Sequence, residues 1–148
     1  MIQRIAVFLV SCCTVVQAGN IPIEGGLVVC IGAQALDSVA QDWEKPGCVF
    51  HCLETSDAEV TRLRKKIQAA GCYGKVCAAR FDCEHLPYIN NLVNLIVIRD
   101  TRHEIRDEEL KRVLAPRGRI IAPAGTRIPH PVSRIHHPDL CIGRFLLH

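Results

Sequence analysis

The 148-residue chain predicts an α/β fold: a doubly wound parallel sheet with strand order 3-2-1-4-5. Three observations carry this. Short apolar runs rich in Val, Ile and Leu alternate with amphipathic stretches of helical period. The strongest run, Leu92–Ile98, has Asn94 as its only polar interruption and reads as a strand buried on both faces. Gly32, Glu54 and Asp82 each follow or close such a run, so a parallel sheet places all three at one carboxyl edge.

The first strand is Leu27–Ile31, delivered by a loop holding Pro22, Gly25 and Gly26 and followed by Gly32. Ala33–Trp43 predicts a helix, with Leu36, Val39, Ala40 and Trp43 on one face, stopped by Pro46-Gly47. Cys48–Leu53 is the second strand and Glu54 closes it. Thr55-Ser56-Asp57 offers N-cap chemistry to a helix from Ala58 to about Ala70, and Gly71 suits a left-handed C-cap. Lys75–Phe81 is a weaker third strand. After Asp82 and the turn Leu86-Pro87-Tyr88 comes the fourth strand, Leu92–Ile98. A short helix over Asp107–Leu114, a turn at Pro116–Gly118 and a fifth strand, Arg119–Ala122, complete the alternation. Right-handed crossovers then fix the local topology.

Composition bounds the function classes. Hydrophobic residues make up 49% and charged residues 22%, which excludes a mostly disordered chain. A net charge of +3 with scattered basic residues does not call for nucleic acid. Met1–Ala18 reads as a signal peptide: Arg4, an apolar run from Ile5 to Val16, then short side chains before a cut after Ala18. That predicts export, periplasmic or secreted, with a cytoplasmic location as the alternative, and the run is too short for a stable membrane anchor. Seven of the nine cysteines lie after this leader. Their odd number does not close a disulfide framework, and in buried strands they act as small hydrophobes. Residues 125–148 form a tail with Pro129, Pro131, Pro138, His130, His136, His137 and His148. It reads as poorly ordered, with Leu140–Leu147 as one further strand. Adjacent His136 and His137 do not share a face, so no metal site is predicted.

Glu54 lies about 20 residues after the glycine turn, the spacing at which a carboxylate accepts from both ribose hydroxyls. Facing an open cleft, it is expected to be hydrated. Gly32 lets the backbone approach a ligand. Asp82 suits the exocyclic amine of adenine. A dinucleotide oxidoreductase would need G-x-G-x-x-G at the first strand, which is missing.

With these blocks in order, Gly26–Ala122 resembles the cofactor half of a class I S-adenosylmethionine-dependent methyltransferase of the type 11 kind. The likeness rests on Gly32, Glu54, Asp82 with Leu86-Pro87-Tyr88, and Arg112-Val113-Leu114-Ala115-Pro116-Arg117-Gly118, which matches that family's "vLkPgG" turn. It also resembles methyltransferase-like segments that precede quinoprotein-type β-propellers in exported bacterial proteins. The resemblance implies a Rossmann-like domain over residues 19–124, degenerate or truncated at its C-terminal edge. It implies S-adenosylmethionine as cofactor, held by Gly32, Ala33, Glu54, Thr55, Asp82 and Cys83, with an unassigned methyl acceptor. Three departures stand against activity. The family's G-x-G-x-G loop is here Gly32-Ala33-Gln34-Ala35-Leu36, where Gln34 and Leu36 would crowd the methionine moiety. The strand-one acid is also replaced by apolar residues, and the family's final antiparallel strand pair is not evident. The alternative is therefore a catalytically inactive remnant serving as a structural or interaction module.

Overall fold

The computed structural model describes residues 21–100, 104–123, 132–137 and 140–145. The predicted leader, residues 1–18, lies outside the described residues. Seven strands form one sheet: β1 Gly26–Ile31, β2 Cys48–Glu54, β3 Val76–Arg80, β4 Val93–Ile98, β5 Leu114–Ala122, β6 Val132–His137 and β7 Leu140–Phe145. Their order is β3-β2-β1-β4-β5-β7-β6. The first five are parallel in the predicted 3-2-1-4-5 order. Among the described residues three α-helices accompany them: α1 Ala33–Ser38, α2 Asp57–Ala69 and α3 Asp107–Val113.

Burial follows strand alternation. Val28, Cys30, Phe50, Cys52, Leu95 and Val97 face α1 and α2, while Val29, Ile31, Leu53, Ile96 and Ile98 share the other face with Leu110 and Val113 of α3. Cys30, Cys48, Cys52, Cys72, Cys77 and Cys83 are free thiols. Burial pushes Cys30 well above its ordinary value and Cys52 up to about 12, so both pack as small hydrophobes. Asn94, the polar interruption in β4, accepts from the Leu27 N–H at 3.0 Å, one residue before the β1–β4 ladder begins. It is a strand-end fastener.

Four local expectations are corrected. The single helix over 33–43 breaks after Ser38, at Val39 (φ −112°, ψ 16°), and Ala40–Asp42 tightens into a 3-10 turn. Ser38 Oγ donates back to the Ala35 carbonyl at 2.7 Å, a local bond that competes with helix extension. The tighter turn brings the Asp42 carboxylate inward to accept from the Ile21 N–H. At α2, Ser56 holds the N-cap position without a side-chain cap bond. Asp57 instead pairs with Arg80 at 2.8 Å, tying the helix start to β3. Its C-terminus ends as expected: Gly71 (φ 70°) and Cys72 return N–H bonds to Gln68 and Ile67, a Schellman closure. The predicted turn at Pro116–Gly118 survives only as an irregularity inside β5, where the pairing register with β4 shifts and Arg117 sits at φ 66°. Finally, the predicted tail with one strand pairs as two. β7 runs antiparallel to β5, and β6 antiparallel to β7. Prolines beside a segment and polar residues within it signal a loop, yet an edge strand tolerates both.

The crossover from β3 to β4 carries no helix. Arg112 of α3 holds it instead, donating to the Tyr88 carbonyl at 2.7 Å and the Leu86 carbonyl at 3.0 Å. Glu109 accepts from the Leu86 N–H at 3.0 Å and pairs with Arg112 at 2.8 Å. Tyr88 is held from the other side, its hydroxyl 2.7 Å from His51 Nδ1 on β2.

Candidate functional site

The site lies where β1, β2 and β4 end. Gly32 follows β1 with φ 86° and ψ 155°, a region that is essentially glycine-only. The one glycine kept in the loop therefore stands where the backbone demands it. The turn aims the Ala33 N–H at Glu54, whose Oε2 accepts it at 2.9 Å. Oε1 of the same carboxylate accepts from the Thr55 N–H at 3.2 Å. Glu54 is only 7% exposed. This corrects the expectation of a hydrated carboxylate: Glu54 fastens the β1–α1 turn to the end of β2.

A cleft of about 500 Å³ opens over this pair. Ala33, Glu54, Thr55 and Cys83 line it with Gln34, Ser56, Glu59, Arg62 and Asp100. Glu59 and Arg62 are paired with each other at 2.7 Å. Cys83 reaches the cleft because it takes φ 66°, a strained conformation for a non-glycine residue. Burial raises its thiol, with Asp82 and Glu54 adding to the effect.

Asp82 does not line this cleft. Its Oδ1 accepts from the Glu84 and His85 amides at 2.8 and 2.9 Å, closing its own turn. Those bonds hold its carboxyl below the usual range. It borders a neighbouring hollow of about 490 Å³ with Arg80, Phe81, His85 and Pro87. Thus Gly32 shapes the turn beneath the cleft, four of the other predicted residues line it, and Asp82 stands beside it. Asp100 was missed, although the charge that ends the apolar run of β4 marks the same sheet edge. The crowding expected from Leu36 does not occur: that side chain is fully buried in the core, leaving Gln34 alone at the cleft. Among the described residues no group of three His, Cys, Asp or Glu side chains could hold a metal ion.

A parallel 3-2-1-4-5 sheet flanked by helices matches the Rossmann-like fold of S-adenosylmethionine-dependent methyltransferases, and the structural neighbours of this chain include proteins of that group. No family model and no curated protein matches the sequence. Among solved structures, an S-adenosylmethionine-dependent methyltransferase from Aquifex aeolicus aligns with TM-score 0.62 at 19% identity, covering 82% of this chain and 81% of that one. The [4+2]-cyclase SpnF aligns with TM-score 0.61 at 17% identity, over 72% of this chain and 44% of its own. Geranyl diphosphate C-methyltransferase from Streptomyces coelicolor, solved with S-adenosyl-L-homocysteine, gives TM-score 0.59 at 14% identity, over 67% and 38%. The chain thus spans less than half the length of the last two. At these identities the likeness is one of fold.

Proposed function

We propose that the chain is an S-adenosylmethionine-binding, methyltransferase-like domain whose cleft over Glu54 takes the adenosyl group. The observation that carries this reading is the carboxylate of Glu54, buried at the carboxyl end of β2 and fixed by the Ala33 and Thr55 amides beside a glycine-only turn. A carboxylate offers acceptors and no donor, which suits the two hydroxyls of a ribose. Bound in this cleft, the cofactor would supply an electrophilic methyl group, and the chain's part would be to bind and orient. Ala33 and Thr55 would border the ribose, and Cys83 would lie at the edge of the nucleoside.

Methyl transfer to an unassigned acceptor is the active form of this reading. The inactive form, a binding or structural module, is favoured by one feature: Gln34 stands at the cleft where the family has glycine. Amide chemical shifts on titration with S-adenosylmethionine test the site. Ala33, Thr55 and Cys83 should move together and saturate, while Asp82 and residues of β3 move less. Saturable shifts confined to another part of the fold would overturn the assignment. Transfer of an isotope-labelled methyl group from the cofactor then separates the active form from the inactive one.

A further inference from the structure

The turn between β1 and α1 is gripped by three consecutive residues of β2. The Gly32 N–H donates to the Leu53 carbonyl at 2.9 Å, which extends the β1–β2 ladder by one bond. The Ala33 N–H donates to Glu54 Oε2 at 2.9 Å. The third contact is the Cys52 thiol, which donates to the Gly32 carbonyl at 3.5 Å. Strand period explains the pattern. Cys52 and Glu54 lie two residues apart, so their side chains rise on one face of the sheet. Cys52 shares that face with Ala35 and Leu36 of α1.

The Gly32 carbonyl and the Ala33 N–H belong to one planar peptide unit. Cys52 holds its oxygen end and Glu54 its N–H end. The same carbonyl accepts from the Ala35 N–H at 3.1 Å and the Leu36 N–H at 3.4 Å, so its direction also sets where α1 begins. The turn reads Gly32-Ala33-Gln34-Ala35-Leu36, a loop with one glycine and little freedom to find this arrangement by itself. Cys52 is fully buried, and burial raises its thiol up to about 12, so at neutral pH it keeps the proton it donates.

We propose that Cys52 is a positioning residue: with Glu54 it clamps the Gly32–Ala33 peptide plane from both ends, and the turn stands in its ligand-binding form before a ligand arrives. The consequence for binding rests on the reading of the cleft as an adenosyl site. A site already ordered loses less conformational freedom when it binds. Cys30, the register partner of Cys52 on β1, is equally buried in the same core and supplies the control.

Residue-resolved hydrogen exchange on the ligand-free full chain, in parent, Cys52→Ala, Cys52→Ser and Cys30→Ala, tests the clamp. In Cys52→Ala the Gly32 and Ala33 amides should exchange about three- to tenfold faster relative to the other amides of β1 and β2, as expected for the loss of one modest hydrogen bond. Cys52→Ser keeps a donor and should restore nearly the parent rate. Cys30→Ala empties the same side-chain volume and should leave the ratio unchanged. Unchanged exchange in Cys52→Ala, a Cys52→Ser variant as fast as Cys52→Ala, or the same speeding in Cys30→Ala would each overturn the proposal. Affinity for S-adenosyl-L-homocysteine is the second readout. It should fall about three- to tenfold in Cys52→Ala and recover in Cys52→Ser. If the parent binds and Cys52→Ala binds equally well, the proposal is overturned. A parent that binds nothing overturns the adenosyl reading instead, while the exchange rates still decide the clamp.

Discussion

Glu54 is the residue on which binding and stability meet. Glu54→Gln keeps the shape but turns one acceptor into a donor. Because both oxygens already serve backbone amides, the change should cost about 1–3 kcal/mol of unfolding free energy, measured by denaturant titration. It should also weaken S-adenosylmethionine binding at least about tenfold, equivalent to roughly 1.4 kcal/mol. Gly32 and Glu54 were legible in the sequence, because a strand end followed by glycine, and an acid some 20 residues on, are local patterns. The divergence of Asp82 from Cys83 was not. It depends on Cys83 taking positive φ, which no residue type there announces. Arg117 poses the same problem and offers a cleaner test. It holds φ 66° just before Gly118, where an added Cβ would come 2.6 Å from Leu114 Cγ and 2.8 Å from the Ala115 carbonyl oxygen. Arg117→Gly relieves the left-handed conformation and should raise stability by about 1 kcal/mol, seen as a higher denaturation midpoint. An unchanged or lower midpoint would show that the side chain of Arg117 offsets the strain.

Among the elements, α3 matters most to the site, because it holds the crossover leading from Asp82 to β4. Arg112 keeps the Glu109 carboxyl far below its ordinary range, down to about 2, with the Leu86 amide assisting. A carboxylate with a depressed folded-state pKa contributes its stability above the ordinary value near 4.5, and loses it as pH falls towards 2. Glu109→Gln should therefore cost about 1–2 kcal/mol at neutral pH. The gap between variant and parent should narrow between pH 4.5 and 2 in thermal melts. A gap independent of pH would mean that the pair does not hold the turn. The Leu86-Pro87-Tyr88 turn was legible, since proline forces it, but its anchor was not: an Arg and a Glu three residues apart also read as an ordinary surface pair. The break in the first helix was hidden for a related reason. Val39 and Trp43 keep helical spacing and are both buried, so the periodicity survives although the backbone tightens between them. β6 escaped the sequence reading because its pairing is tertiary and its flanking prolines, Pro131 and Pro138, resemble loop signals.

At the scale of the whole molecule, the parallel order 3-2-1-4-5 was the most legible feature, since doubly buried strands and right-handed crossovers leave few alternatives. Function is less determined by the same evidence of shape, because the neighbours of this fold include a [4+2]-cyclase as well as methyltransferases. No helix among the described residues is long and apolar enough to cross a membrane. The central claim is that the cleft over Glu54 binds the adenosyl cofactor, and calorimetric titration of the full chain with S-adenosyl-L-homocysteine tests it most directly. The account predicts a saturable heat with one site per chain and a dissociation constant below about 1 mM, weaker by at least about tenfold in Glu54→Gln. No heat at millimolar ligand would contradict the claim and leave Glu54 a structural fastener. Equal binding by parent and variant would place the cofactor elsewhere.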